Sequence, residues 1–276
     1  MVITAPLRKP GGGLVCAAGT GQSGAMHDSD IFVTAAMVAV FALVHLFIGR
    51  LKFLSAAPRS RWLSFSGGIA VSYVFLHVLP DLGVHERAFA TALGMGDSLA
   101  ESLVYSLALV GLAAFYGLER AVKRSRARSR KAGEGDRIED HLEWVHVGSY
   151  ALLNLLIGYL LMHREEYGTW SLLLYFVAMS LHFMTSDFGM REDHTAAYDA
   201  RGRWVISAAV VAGWLIGLIV TLPAVVVGFL FAFLAGGITL NVLKEELPED
   251  RESRFLPFLG GAGIYAALML GERAMV

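Results

Sequence analysis

The stretch Trp204–Leu243 decides the fold: it reads WVISAAVVAGWLIGLIVTLPAVVVGFLFAFLAGGITLNVL and contains no charged residue and no histidine. A membrane-spanning helix needs about 20 consecutive, mostly apolar residues. The stretch provides two such lengths, residues 204–222 and 224–243, which meet at the turn Leu222-Pro223. It therefore predicts a helical hairpin that crosses a lipid bilayer twice, with a tight turn at the membrane surface.

Six further segments have the length and apolar character of a spanning helix. They are residues 31–50, 62–81, 99–119, 144–162, 169–187 and 255–271. The last is short and rich in glycine, so we expect it to pack closely against a neighbouring helix. The chain is 55% hydrophobic and only 17% charged, whereas roughly a quarter of a soluble domain is charged. We therefore predict an all-α, polytopic integral membrane protein with eight helices.

Short segments flank the predicted transmembrane domain, which covers residues 31–271. Residues 1–30 contain Gly and Pro but no apolar periodicity, so we expect a disordered extension, with Met26 as an alternative start. Residues 272–276 form a short tail. Cys16 is the single cysteine, which excludes an intrachain disulfide framework and a multi-cysteine metal cluster.

Basic residues set the predicted orientation, because Lys- and Arg-rich loops alternate with poor ones along the chain. Under the positive-inside rule the rich loops are cytoplasmic, so both termini are extracytoplasmic. We expect the protein in a bacterial plasma (inner) membrane. The longest loop, a basic segment at 120–141, is interpreted as a solvated loop beside anionic lipid, not as a nucleic-acid site. The rich loops carry Arg50, Lys52, Arg59 and Arg61, then Arg120 to Arg137, then Arg191, Arg201 and Arg203, and finally Lys244, Arg251 and Arg254.

Polar side chains recur at helical spacing inside, or directly after, four predicted spans. Ionisable groups at membrane depth are costly, so they usually face a pathway or a partner helix. Residues three or four apart share one face of a helix. The four stripes are Tyr73, His77 and Asp81; His146, Ser149, Tyr150 and Asn154; Tyr175, Met179, His182 and Ser186; and Asn241, Glu245 and Glu246.

Other polar residues have simpler interpretations. His45 stands alone in its span and is interpreted as a hydrogen-bonded packing residue. His85 and Glu86 are expected at the outer surface, and the acidic run that begins at Glu245 is either a solvated helix end or part of a pathway. His146 and His182 are the stronger candidates, because neutral imidazole is the commonest ligand of transition metals.

Two short motifs in this sequence resemble those of a known family. The run Gly67–Asp81, GGIAVSYVFLHVLPD, resembles the second helix of ZIP (Zrt/Irt-like) metal transporters, which ends in a His-Leu-Leu-Pro-Glu-type motif. The run Leu243–Glu249, LKEELPE, resembles the Leu-Pro-Glu end of that family's seventh helix. Eight helices, outside termini and a long third cytoplasmic loop also match. The resemblance implies an eight-helix ZIP-like bundle.

The sequence departs from the family in the fourth and fifth helices, which build its transport site. The family's fourth helix reads His-Asn-x-x-Asp-Gly, and here the run is His146-Val147-Gly148-Ser149-Tyr150-Ala151. The fifth reads His-Glu-x-Pro-His-Glu, and here the run is Ala178-Met179-Ser180-Leu181-His182-Phe183. Both bridging carboxylates are absent. Two imidazoles with Met179 and Tyr150 are compatible with one borderline or soft ion, and equally with a hydrogen-bonded core without metal, but not with two dications.

The resemblance implies a transporter of a divalent or transition-metal cation, such as zinc or iron, that works by alternating access. Its partners would be the metal ion as substrate and the lipid bilayer, with no required cofactor and no nucleic acid. A homodimer is compatible with small-residue surfaces such as Gly236-Gly237 and Gly260-Gly261. The implied metal-contacting residues are His146, His182 and Met179 at the midpoint, His77 and Asp81 toward the outer mouth, and Asn241, Glu245 and Glu246 toward the inner exit.

Two alternatives stay open. The missing carboxylates favour a ZIP-derived membrane protein that carries no metal, such as a sensor, an assembly partner or a carrier of another solute. An intramembrane zinc hydrolase is the second alternative, since such enzymes gather His and Asp from several helices. We expect no enzyme, because the sequence contains no catalytic triad, phosphate loop or HExxH motif.

Overall fold

The computed structural model describes residues 28–51, 61–133, 135, 138–163, 169–193, 195–246 and 254–275. In these ranges the regular structure is helical, as predicted, with a 3-10 turn at Ile48–Arg50 and π turns at Val74–Val78 and Tyr198–Gly202. Most of the predicted extension, including Met26 and Cys16, lies outside the described residues, as does 247–253. The helices are α1 Asp28–Phe47, α2 Arg61–Tyr73, α3 Leu79–Leu93, α4 Asp97–Lys131, α5 Asp140–Met162, α6 Thr169–Asp193, α7 Thr195–Ala197, α8 Arg203–Ile219, α9 Ala224–Glu246 and α10 Phe255–Met275.

The described helices have the length and surface of membrane spans. Seven helical segments are long and apolar enough to cross a bilayer, and the apolar part of α10, Phe255–Gly271, is shorter. Large apolar side chains face outward, among them Phe32, Leu109, Ile219 and Leu256, which are 65–84% exposed. Soluble monomers rarely expose apolar surface so widely. The chain is therefore an integral membrane protein.

Two helices extend furthest beyond the ends predicted for them. The span predicted to end at Asp81 continues through a π turn into α3, because Pro80 lies in the first turn of α3, where its missing N–H is tolerated. It ends at Leu93, before Gly94 with a left-handed φ of 63°. The basic segment 120–131, predicted as part of a loop, continues α4. That segment contains no Gly or Pro and is rich in Arg, Lys and Ala, which favour helix.

The helices sort into two packed groups with α6 between them. In the first group α8 packs on both α5 and α1. In the second group α4 packs on α9, α10 packs on α2, and α3 contacts both α4 and α9. Helix α6 contacts α1 on one side and α2 on the other. The polar face of α6 therefore lies where the two groups meet.

Glycines bring the helix backbones together inside each group. A Cβ placed on any of six of them would lie only 1.8–2.2 Å from a backbone oxygen of the facing helix, so only glycine fits there. Gly237 and Gly261, which belong to the predicted small-residue surfaces, face Phe115 of α4 and Phe65 of α2. The six are Gly111 and Gly236 between α4 and α9, Gly158 and Gly213 between α5 and α8, and Gly68 and Gly261 between α2 and α10.

We expect Gly111→Ala to lower the midpoint of thermal unfolding in detergent, because its Cβ would lie 1.8 Å from the Phe233 carbonyl oxygen. Forced overpacking costs about 1–3 kcal/mol. Gly117→Ala on the same helix is the matched control, since a Cβ there meets nothing within 4 Å. Equal midpoints for the two variants would contradict this packing.

The two ends of the bundle differ in charge. One end of the bundle, which we call the basic end, contains the last residues of α1, α4, α6 and α9. The first residues of α2, α5, α8 and α10 lie at the same end. Here Arg203 Nη1 donates to the Leu46 carbonyl oxygen at 3.3 Å. At the opposite end the Leu222 N–H donates to the Tyr159 hydroxyl at 2.9 Å. The polar features described below divide between these ends.

Candidate functional site

A cavity lies between α3, α5, α6 and α9, in the half of the bundle toward the opposite end. Its volume of about 70 Å³ has room for more than one water molecule. Most of its wall is aliphatic or aromatic, so the polar groups are few and localised. They belong to Tyr73, His77, Asp81, His85, His163, Ser171 and Tyr175, with the thioether of Met179 among them.

The best-formed polar pair in this cavity is His77 and Asp81. The distance from His77 Nε2 to Asp81 Oδ2 is 3.3 Å, and the side chains are 15% and 20% exposed. The Tyr73 ring lies 5.0 Å from the His77 ring, between centroids. His77 belongs to the π turn between α2 and α3, and such turns recur at functional sites. The sequence prediction that these three residues share one face is confirmed by their common position in the cavity wall.

The cavity ends near the middle of the bundle. Its lining residues closest to the basic end are Leu153, Met179 and Ile238. One turn further along the same helices lie two buried polar side chains, His182 and Asn241, which are 2% and 1% exposed. His182 Nδ1 and both amide atoms of Asn241 have no hydrogen-bond partner among the described residues. An apolar layer thus separates the cavity from buried, unsatisfied polar atoms.

Four side chains form a second polar feature, which we call the charge cluster: Glu119, His146, Tyr150 and Lys244. His146 Nε2 lies 3.0 Å from Glu119 Oε1. Lys244 Nζ donates to the same carboxylate oxygen and lies 3.4 Å from the Tyr150 hydroxyl. Glu119 and His146 are 7% and 1% exposed. The cluster joins α4, α5 and α9 near the basic end.

A third feature is a buried pair between α1 and α6. His45 Nδ1 lies 2.6 Å from Asp187 Oδ2, and the side chains are 0% and 1% exposed. The Tyr198 hydroxyl donates to the His45 carbonyl oxygen at 3.2 Å. The Phe183 ring lies 4.6 Å from the imidazole, between centroids. The interpretation of His45 as a hydrogen-bonded packing residue is confirmed, and its partner is a carboxylate.

The structure brings some of the predicted metal-contacting residues together and separates others. His77, Asp81 and Met179 share the cavity, whereas His146 belongs to the charge cluster. His182 Nε2 lies 3.5 Å from the Ser186 hydroxyl, on its own helix. Within the described ranges, no three His, Cys, Asp or Glu side chains form a group that would hold a metal ion.

Of the three metal-contacting residues predicted toward the inner exit, the structure describes the side chain of only one. Asn241 is buried on α9. Glu245 and Glu246 belong to the backbone of α9, but their side chains lie outside the described residues. The assignment of a metal to the eight residues predicted from the sequence stays a prediction.

Sequence reasoning missed several of these residues. In the sequence Glu119 is the last residue of a predicted span and Lys244 is a loop charge that sets topology, but the structure places both in the charge cluster. The expectation that His85 lies at the outer surface is wrong: it is 5% exposed and lines the cavity. The spacing of His77, Asp81 and His85, four residues apart, contained the signal that all three share a face.

No family model matches the chain, and no curated protein matches it either. The fold and its polar features by themselves define the class of protein: a helical, polytopic integral membrane protein with ionisable groups buried between its helices.

Proposed function

We propose that this protein is a membrane transporter of a divalent or transition-metal cation, with a ZIP-like fold and an alternating-access mechanism. In this proposal α10 is the eighth span, the basic end is cytoplasmic and both termini are extracytoplasmic, in a bacterial plasma membrane. The arginine- and lysine-rich helix ends support this orientation through the positive-inside rule.

The observation that carries the proposal is the cavity with His77, Asp81 and Met179 in its wall. Imidazole nitrogen, carboxylate oxygen and thioether sulfur together suit borderline and soft transition metals. Ionisable groups inside a membrane domain are costly, and they commonly mark substrate pathways. His77 and Asp81 retain 15% and 20% exposure, so a solvated ion has access to them.

The arrangement of the two ends supports alternating access. The cavity faces the opposite end, while Leu153, Met179 and Ile238 close it toward the basic end. Beyond this layer the charge cluster ties α5 of the first helix group to α4 and α9 of the second. We interpret this as the outward-open form, in which the inner end is held shut by contacts between the groups.

The donor set limits the cargo to one ion at a time. Two dications at bonding distance need bridging carboxylates to offset their charge, and Asp81 is the only carboxylate that lines the described cavity. A single borderline ion, zinc-like or iron-like, fits this set best.

We expect His77→Ala and Asp81→Asn each to reduce the initial rate of metal uptake into proteoliposomes roughly tenfold or more, as is typical when a metal site loses a supporting group. Uptake is measured separately for zinc, iron, manganese and cobalt. His141→Ala is the matched control, since this imidazole is 72% exposed and lies outside the cavity. If no metal enters through the unmodified protein, the proposal is wrong.

A second candidate function is a membrane protein that carries no metal. The observation that favours it is the position of Lys244, whose ammonium group contacts Glu119 beside His146. A fixed positive charge there repels a dication that approaches the imidazole. The uptake assay distinguishes the two candidates, because this one predicts no metal flux with or without the cavity substitutions.

The hydrolase alternative has less support. The His45–Asp187 pair has the geometry that orients an imidazole for proton transfer. His45 Nε2, however, has no hydrogen-bond partner in the described part of the chain, so no serine hydroxyl stands next to it as a nucleophile.

A further inference from the structure

The charge cluster has the composition of a cation site whose cation is supplied by the chain itself. A carboxylate buried in a membrane domain requires a counter-charge close by. At Glu119 that charge is the Lys244 ammonium group, which also donates to the phenolic oxygen of Tyr150. Glu119 is on α4, Tyr150 is on α5 and Lys244 is on α9, so the ammonium group lies between three helices.

The atoms around this ammonium are suitable metal donors. Glu119 Oε1 and His146 Nε2 lie 3.0 Å apart. Two ligands of a tetrahedral zinc ion with bonds near 2.1 Å are separated by about 3.4 Å. These two donor atoms are therefore already close to the spacing that a shared metal ion requires, and Tyr150 supplies an oxygen beside them.

Independent support comes from unsatisfied amides next to the cluster. Asn241 lies three residues before Lys244, on the same side of α9, and is 1% exposed. Asn154 follows Tyr150 by one turn of α5 and is 3% exposed. The side-chain oxygen of Asn154, whose Nδ2 donates to the Tyr150 carbonyl oxygen, has no hydrogen-bond partner among the described residues, and neither amide atom of Asn241 has one. Buried acceptor oxygens without a donor are the surroundings in which a cation is stabilised.

We propose that Glu119, His146 and Tyr150 form a divalent-cation site in which the Lys244 ammonium group takes the place of the ion, so that the site binds a metal only after Lys244 leaves. Because a lysine side chain is long and 20% of this one is exposed, the ammonium has a route to solvent at the basic end. The Lys244 ammonium group thus competes with the transported ion for the same donor atoms.

The position of this site gives it a defined step in transport, and in this respect the inference rests on the proposed function. Ile238 in the cavity floor and Lys244 are six residues apart on α9, which is about 9 Å along the helix axis. An ion that leaves His77 and Asp81 would meet the tethered ammonium on its way to the basic end. Displacement of Lys244 would then accompany the opening of that end.

The test is equilibrium zinc binding by the purified full-length protein in lipid nanodiscs. All variants carry His77→Ala and Asp81→Asn, so that the cavity does not contribute. In this background we expect Lys244→Ala to bind about one more zinc ion per chain than the parent, because the vacated site must recruit a cation. Adding Glu119→Gln to Lys244→Ala should abolish that extra ion.

Two controls make the result specific. Lys123→Ala removes an exposed lysine on α4 and should add no zinc, and Lys244→Arg, which keeps the positive charge, should add none either. If Lys244→Ala does not give folded protein, Lys244→Met is measured instead, since it retains the apolar stem. The proposal is overturned if neither variant gains zinc, or if the gain persists with Glu119→Gln. The assay needs no transport, so a failed uptake experiment leaves it intact.

Discussion

Asp187→Ala is expected to destabilise the protein by about 3–5 kcal/mol, because it leaves the His45 imidazole buried without its partner. The two side chains are 0% and 1% exposed and 2.6 Å apart, so no solvent is available to replace the lost contact. The measurement is the midpoint of thermal unfolding in detergent, followed by the loss of helical circular dichroism. Asp187→Asn, which keeps an acceptor oxygen but not the charge, should lose less.

A second His–Asp pair in the same protein supplies the control for this prediction. His77 and Asp81 are 15% and 20% exposed and 3.3 Å apart, and accessible pairs contribute about 0–1 kcal/mol. Asp81→Ala should therefore leave the midpoint nearly unchanged. The double variant His45→Phe/Asp187→Leu should recover most of the loss, since apolar side chains often replace a buried pair without cost. Equal losses from Asp81→Ala and Asp187→Ala would refute the argument.

The helices could be predicted from the sequence because a membrane span is a local property. Twenty apolar residues must be helical in lipid, wherever they occur in the chain, since every backbone N–H and C=O needs an internal partner. The stripe on α6 was predictable for the same reason, since Tyr175 and Met179 line the cavity four residues apart. Helix ends were less predictable, because Pro80 is tolerated in the first turn of α3 and does not stop the helix.

The partners of the buried charges could not be predicted, because they are far apart in the sequence. Lys244 is 125 residues from Glu119, and His45 is 142 residues from Asp187. Charges near helix ends have an ordinary explanation as topology signals, and Lys244 fits that explanation until its neighbours are known. Only the packing of α4 on α9, with Gly111 in close contact, brings Glu119 and Lys244 to the same place.

The second large effect concerns the closure of the basic end. The charge cluster spans the boundary between the helix groups, because His146 and Tyr150 belong to α5 whereas Glu119 and Lys244 belong to α4 and α9. Glu119→Gln removes the charge that holds both His146 and Lys244. Glu119→Gln keeps an acceptor oxygen but not the charge, and hydrogen bonds to charged groups contribute about 1.5–3 kcal/mol, while each 1.4 kcal/mol is about a factor of ten in an equilibrium. The open population at the basic end should therefore rise roughly tenfold to a hundredfold.

This opening is measured by cysteine labelling in a Cys16→Ser background, which removes the only native cysteine. Ile238→Cys places a thiol in the cavity floor, where a membrane-impermeant reagent should reach it only from the opposite end of the parent protein. With Glu119→Gln we expect rapid labelling from the basic end as well. Glu101→Gln, an exposed position on the same helix, should change nothing. If Glu119→Gln left the labelling unchanged, the prediction would be wrong. The apolar layer would then close the basic end without the charge cluster, as the remaining barrier between the thiol and the reagent.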